Sequence, residues 1–155
     1  MNKTILFVGL EILFWLLTAL IAFAVVYPII SATDSYPFLV TNIVFVAVLV
    51  TCTRYIFLLQ HTWLGPLQTV KTALIFVSIW AIFLLTEALN GFQTYLDEEG
   101  PAALVGEMNL EKMQGLVGYI RSEMLFFGVG SVLAVIIFAG RMIQSLWNYK
   151  NRGVI

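Results

Sequence analysis

An all-α fold, a four-helix transmembrane bundle, is what this chain predicts, and three observations carry the expectation. Charged residues make up 11% of the sequence and hydrophobic residues 61%, whereas a soluble domain carries about 25% charge to cover its water-facing surface. Mean hydropathy is +0.95. Four apolar stretches, 4–30, 38–59, 72–89 and 124–146, reach the roughly 17–25 helical residues that a bilayer core requires. The length suits one integral membrane domain over 1–155 and leaves no room for a separate soluble unit.

The first span, 4–30, is preceded by Lys3 and followed by Ser31-Ala32, which superficially resembles a secretory signal. Secretory apolar regions run about 7–15 residues and rarely hold an acid, so a retained anchor containing Glu11 is expected instead. Pro28 and Pro37 bracket the turn 31–35, which makes spans one and two antiparallel neighbours. The second span, 38–59, leads to a short connection punctuated by Gly65-Pro66, and spans two and three are expected to be neighbours for the same reason.

The third span, 72–89, continues at helical spacing into the acidic run Asp97-Glu98-Glu99, where Gly100-Pro101 stops it. The outer loop, 90–123, therefore holds a helical hairpin. Pro101 suits the first turn of a short helix through Val105, ended by Gly106. Asn109 is placed to cap the next helix, with Glu111 in its first turn. Leu110, Met113, Leu116, Val117 and Ile120 then repeat along one face of an amphipathic helix over 110–121. No breaker separates it from the fourth span, 124–146. A continuous helix from Leu110 to Asn148 would measure roughly 60 Å at 1.5 Å per residue, so it projects from the bilayer or bends at Gly115 or Gly118. The hairpin either rests on headgroups or docks a partner.

Basic residues set the expected orientation. Lys3, then Arg54, His61 and Lys71, and finally Arg141, Lys150 and Arg152 mark one side. The other side carries Asp34, Asp97, Glu98, Glu99, Glu107, Glu111 and Glu123 against Lys112 and Arg121. Positive-inside bias places both termini in the cytoplasm of a multi-pass plasma (inner) membrane protein. Trp63, Trp147 and Tyr149 fit an aromatic belt on that side, and Tyr27, Tyr36, Tyr95 and Tyr119 fit the outer one.

Glu11 is the acid buried deepest in an apolar run. A carboxylate at mid-membrane costs roughly 2.5–3.5 kcal/mol on insertion scales, so a partner is expected. Arg54 and Arg141 fall at a similar depth on spans two and four, and together the three form an intramembrane charge cluster. Thr4, Glu11 and Thr18 recur every seven residues on a stripe that should face protein, and Thr51 shares a face with Arg54. The cluster is read in two ways: helix ordering by neutralisation, or a proton- or ion-coupled site. An outer polar cluster of Glu87, Asn90, Arg121 and Glu123 is expected to join spans three and four through a Glu87–Arg121 contact. In span four, Gly130 and Ala134 form a small-xxx-small pair suited to close helix packing.

Several classes are disfavoured. A net charge of -1 without a basic run gives no nucleic-acid footprint. One cysteine and one histidine argue against a metal site or cofactor within a single chain. Neither a catalytic motif nor a carboxylate pair at one depth is present, so no enzyme is expected and no catalytic residue is assigned. A lipid-phosphate site at His61, Arg54 and Lys71 is a lesser option, as is a lipid-acting enzyme. Beyond the lipid bilayer itself, the expected partner is a membrane protein or further copies of the chain. The leading expectation is an accessory or scaffold subunit of a membrane complex. The alternative is a small oligomeric proton- or ion-coupled transporter or channel using Glu11.

Overall fold

The computed structural model describes residues 3–34, 36–106 and 108–152, with side chains from 8 to 151 within that set. Ser35 and Glu107, and the side chain of Thr4 in the heptad stripe, lie outside the described residues. The described chain is helical and contains α1 (Lys3–Ile30), α2 (Leu39–Leu58), α3 (Gln68–Glu99), α4 (Pro101–Val105) and α5 (Leu110–Arg152). Four helices are long and apolar enough to cross a membrane: Val8–Ile30, Leu39–His61, Gln68–Glu99 and Leu110–Asn151.

Local chemistry explains where the helices stop. Pro28 lies in the last turn of α1, where it withholds the N–H that would bond to Ala24 O, and the helix ends two residues on, with Thr33 N–H donating to Ile29 O at 3.0 Å. After α2 a single 3-10 turn, Leu59–His61, begins the reversal, and Thr62 Oγ1 donates to Leu59 O at 2.8 Å. At Gly65 a Cβ would stand 3.1 Å from Leu59 O and 3.3 Å from Thr62 O, a crowding of backbone that glycine relieves in this turn. Gly100 ends α3 with φ +81°, a conformation that L side chains rarely adopt, and Pro101 opens α4. Asn109 Oδ1 accepts from Glu111 N–H at 3.2 Å as the N-cap of α5. From there α5 continues for 43 residues, about 64 Å at about 1.5 Å per residue. It passes Gly115 and Gly118 without leaving helical conformation.

Helix α5 is the central element. It packs along both α2 and α3, α1 lies mainly against α2, and α4 closes over α5 and α3. The antiparallel pairing of α1 with α2 agrees with the sequence. The expected close pairing of α2 with α3 does not, because α5 takes the intervening place. A short connection fixes only the joined helix ends, whereas shape decides the rest. Gly128 lets α5 seat against both α3 and α2, and Gly130 against α2: a Cβ at Gly128 would lie 2.8 Å from Leu89 Cδ1 on α3 and 3.1 Å from Phe45 Cε2 on α2, and one at Gly130 would lie 3.3 Å from Leu49 Cδ2. Ala134 is buried on the same helix, so the small-xxx-small pair packs within the chain.

Two apolar cores result. The larger joins Ile29, Phe45, Leu85, Phe92, Leu104, Val105, Ile120 and Met124, and Phe38 contributes edge-on ring contacts to Phe92 and Tyr95 at 5.3 and 5.2 Å. The smaller joins Leu59, Leu64, Phe138 and Met142 near the chain termini. Large apolar side chains also face outward on every long helix, among them Leu20, Phe57, Phe76, Phe83 and Phe126. A soluble monomer rarely exposes so much contiguous apolar surface, and a multi-pass membrane protein must.

Candidate functional site

Polar residues concentrate at two levels, one near the end that holds both termini and one near the opposite, loop end. At the terminal end the Glu11 carboxylate on α1 meets the Arg54 guanidinium on α2 in a two-pronged ion pair. Nη2 donates to Oε1 at 2.6 Å and Nη1 to Oε2 at 2.8 Å. The Arg54 side chain is 7% exposed and that of Glu11 18%. The guanidinium also lies over the Phe14 ring at 4.3 Å and near the Tyr55 ring at 5.3 Å. Its Nε is buried with no hydrogen-bond partner. This is the only ion pair among the described residues. Thr18, one heptad beyond Glu11, is buried as the stripe requires, and its hydroxyl donates to Phe14 O at 2.8 Å.

Arg141 does not join that pair, contrary to the expected three-member cluster. Its Nε donates to Ile56 O at 3.2 Å and its Nη1 to Gln144 Oε1 at 2.9 Å. The first ties α5 to the end of α2, the second stays within α5, and both acceptors are neutral. The Arg54 fork bonds to both oxygens of Glu11, and Arg141 is engaged instead at Ile56 O and Gln144 Oε1.

Lys71 is a residue that sequence reasoning passed over as an interfacial cation. It is fully buried. Its Nζ donates to Gly65 O at 2.5 Å, to Ser145 Oγ at 2.9 Å and to Gln68 Oε1 at 3.3 Å. Three donors meet three neutral acceptors, and they fasten α3 to both the Gly65-Pro66 turn and α5. With Arg54 committed to Glu11 and Lys71 buried in this clamp, the cations named for a phosphate site beside His61 are already engaged.

The loop end differs from the outer cluster expected on spans three and four. Glu87, Asn90 and Arg121 are exposed, and Glu87 forms no ion pair with Arg121. Arg121 instead borders a groove of about 510 Å³ with Leu96, Asp97, Pro101, Met113 and Gln114. Glu123 is buried at 6% exposure and turns to α2, where Asn42 Nδ2 donates to its Oε1. The residue two positions on from Arg121 thus points to a different neighbour, since 200° of helical rotation separates them at about 100° per residue. Tyr36, in the turn before α2, is buried beside this pair. Burial raises its hydroxyl pKa above the ordinary tyrosine range. Tyr119 Oη donates to Val25 O at 2.7 Å, joining α5 to α1 at the same end.

Between the two levels the interior is apolar, with Phe45, Val46, Leu85, Ala134, Val135 and Phe138 buried. The two buried hydroxyls there serve their own helices: Ser78 Oγ donates to Leu74 O and Ser131 Oγ to Gly128 O. Sequence could have signalled Asn42, a full amide inside an apolar span. Nothing in the spacing showed that its partner would be Glu123, 81 residues away. Compared with protein-family models, curated proteins and solved structures, the chain matches none.

Proposed function

We propose that this protein is an accessory or scaffold subunit of a membrane assembly and not an enzyme. In this reading the four long helices form a transmembrane bundle in the plasma (inner) membrane. Both termini face the cytoplasm, and α4 with the first turns of α5 forms an extra-cytoplasmic hairpin. The observation that carries the reading is the use made of buried charge. Glu11 spends both oxygens on Arg54, and Lys71 spends its three donors on a turn and a neighbouring helix. Both are tied up in joining helices, which favours a fixed platform over a moving carrier. The apolar layer between the two polar levels points the same way, because ion movement requires a chain of polar groups or water.

The hairpin supplies the surface for a partner membrane protein or for further copies of the chain. Asp97, Glu98, Glu99 and Glu111 are exposed there beside the groove bordered by Leu96 and Met113. Mild extraction in native lipid, followed by mass determination of the intact particle, tests the reading directly. A stoichiometric second protein is the expected result, and its loss on deletion of 97–109 would place the contact on the hairpin. A particle that is a monomer in every preparation would end the subunit reading. The transport alternative makes the opposite prediction for Glu11→Gln: pH-driven flux in reconstituted vesicles would disappear, whereas a subunit shows no flux before or after the change.

A further inference from the structure

The contact between Asn42 and Glu123 lacks partners in a way that one proton resolves. Asn42 Nδ2 donates to Glu123 Oε1, while the second oxygen of each planar group, Asn42 Oδ1 and Glu123 Oε2, is buried without a hydrogen-bond partner. The Tyr36 hydroxyl is buried beside them against the Asn42 side chain, outside full hydrogen-bond geometry. Asn42 is 0% exposed and Glu123 6%. With Glu123 ionised, both orphan oxygens are acceptors, and Tyr36 brings one hydroxyl proton to serve the two. A buried acceptor left unpaired is costly, and a buried carboxylate without a cation more so.

Among the described residues, the surrounding groups provide no cation. From α5 itself come Tyr119, whose hydroxyl is committed to Val25 O, and Arg121, which is exposed and borders the groove with Asp97. From α3 come Glu87, exposed, and Tyr95, whose hydroxyl donates to Ala103 O at 3.4 Å. From α1 comes the exposed Tyr27. The ion pair of the described chain lies at the opposite end. Neither orphan oxygen has measurable surface open to a water-sized probe, so the missing partner has to be smaller than a water molecule.

We propose that Glu123 is a proton-binding site: its carboxyl holds a proton on Oε2 around neutral pH and donates it to Asn42 Oδ1. With the existing Nδ2–H donation to Oε1, this closes a neutral acid–amide ring between α5 and α2. The Tyr36 hydroxyl covers it. Alkaline conditions break the Oε2–H bond and pass the proton to solvent. The ring then opens and leaves a carboxylate with no counter-charge, so the α2–α5 contact at the loop end loosens. A carboxyl that keeps its proton in the folded state but not in the unfolded chain makes the folded state the larger proton binder between the two titrations. Stability therefore falls as pH rises through that window.

The test uses the full chain in lipid nanodiscs with glutamate labelled at the side-chain carboxyl carbon. In a carbon NMR pH series, one glutamate signal is expected at the protonated position at neutral pH, well separated from exposed acids such as Glu98 and Glu99. It should vanish in Glu123→Gln. The wild-type thermal midpoint should fall as pH rises from about 4.3, where the carboxyl of the unfolded chain ionises, through the folded-state titration, and should level off above it. Glu123→Gln, whose amide closes the same ring, should keep a flat midpoint. All glutamate signals at the carboxylate position at neutral pH would overturn the proposal. So would a Glu123→Gln chain that loses stability with pH as the wild type does, or one that cannot fold, since glutamine is the neutral mimic of the protonated acid.

Discussion

The two ends of the molecule solve the same problem in opposite ways. At the terminal end, Glu11 meets a full counter-charge in a two-pronged geometry, backed by the face of Phe14. At the loop end, Glu123 meets only neutral groups, Asn42 and Tyr36. A carboxylate with a guanidinium on both oxygens is held by charge. A carboxyl among neutral groups is held by hydrogen bonds, and its proton becomes part of the structure. The difference follows from what each helix carries at the level concerned: α2 presents arginine near its end and asparagine near its start.

The largest expected effect breaks the charged end. Arg54→Leu leaves Glu11 without its partner and should cost about 3–5 kcal/mol, read as a lowered unfolding midpoint in lipid or detergent. The double replacement Glu11→Leu with Arg54→Leu should recover most of that loss, because the apolar pair removes both desolvation costs. A double variant as unstable as the single one would show that Arg54 acts through its Phe14 and Tyr55 contacts instead of through Glu11.

Next comes the packing that holds both ends in register. Gly128→Ala places a methyl within 2.8 Å of Leu89 and 3.1 Å of the Phe45 ring. It should destabilise by about 1–3 kcal/mol through overpacking. Gly140→Ala, where nothing lies within 4 Å, should be neutral or gain up to about 1 kcal/mol from helix propensity. Equal effects from the two alanines would mean that α5 does not seat against α3 and α2 at Gly128.

The neutral end should give the smallest change when its ring is preserved and a larger one when it is not. Asn42→Leu strands the Glu123 carboxyl and should cost about 1–3 kcal/mol, growing as pH rises. Glu123→Gln keeps the ring and should shift stability by under about 1 kcal/mol at neutral pH. A parallel pH series on both variants and on Arg54→Leu separates the ends. Arg54→Leu and Asn42→Leu, which retain Glu123, should still lose stability as pH rises, and Glu123→Gln should not.

The sequence by itself determined the helical class, the four long apolar segments and the punctuation of the chain. Gly100-Pro101, Gly106 and Asn109 act through their own backbone preferences, which need no distant neighbour, and so the α3–α4–α5 boundaries were legible. Glu11 was legible as a residue in need of a cation, because the cost of an unpaired carboxylate in an apolar run does not depend on the fold. Which cation answers it was a tertiary decision between Arg54 and Arg141, made by the packing of α1 on α2. Tertiary structure also put α5 between α2 and α3, buried Lys71, and turned Glu123 away from Glu87 and Arg121 toward Asn42. Those outcomes depend on the rotation of each helix about its axis and on where glycine permits close approach. Residues far apart in the chain set both together, and no local pattern encodes them.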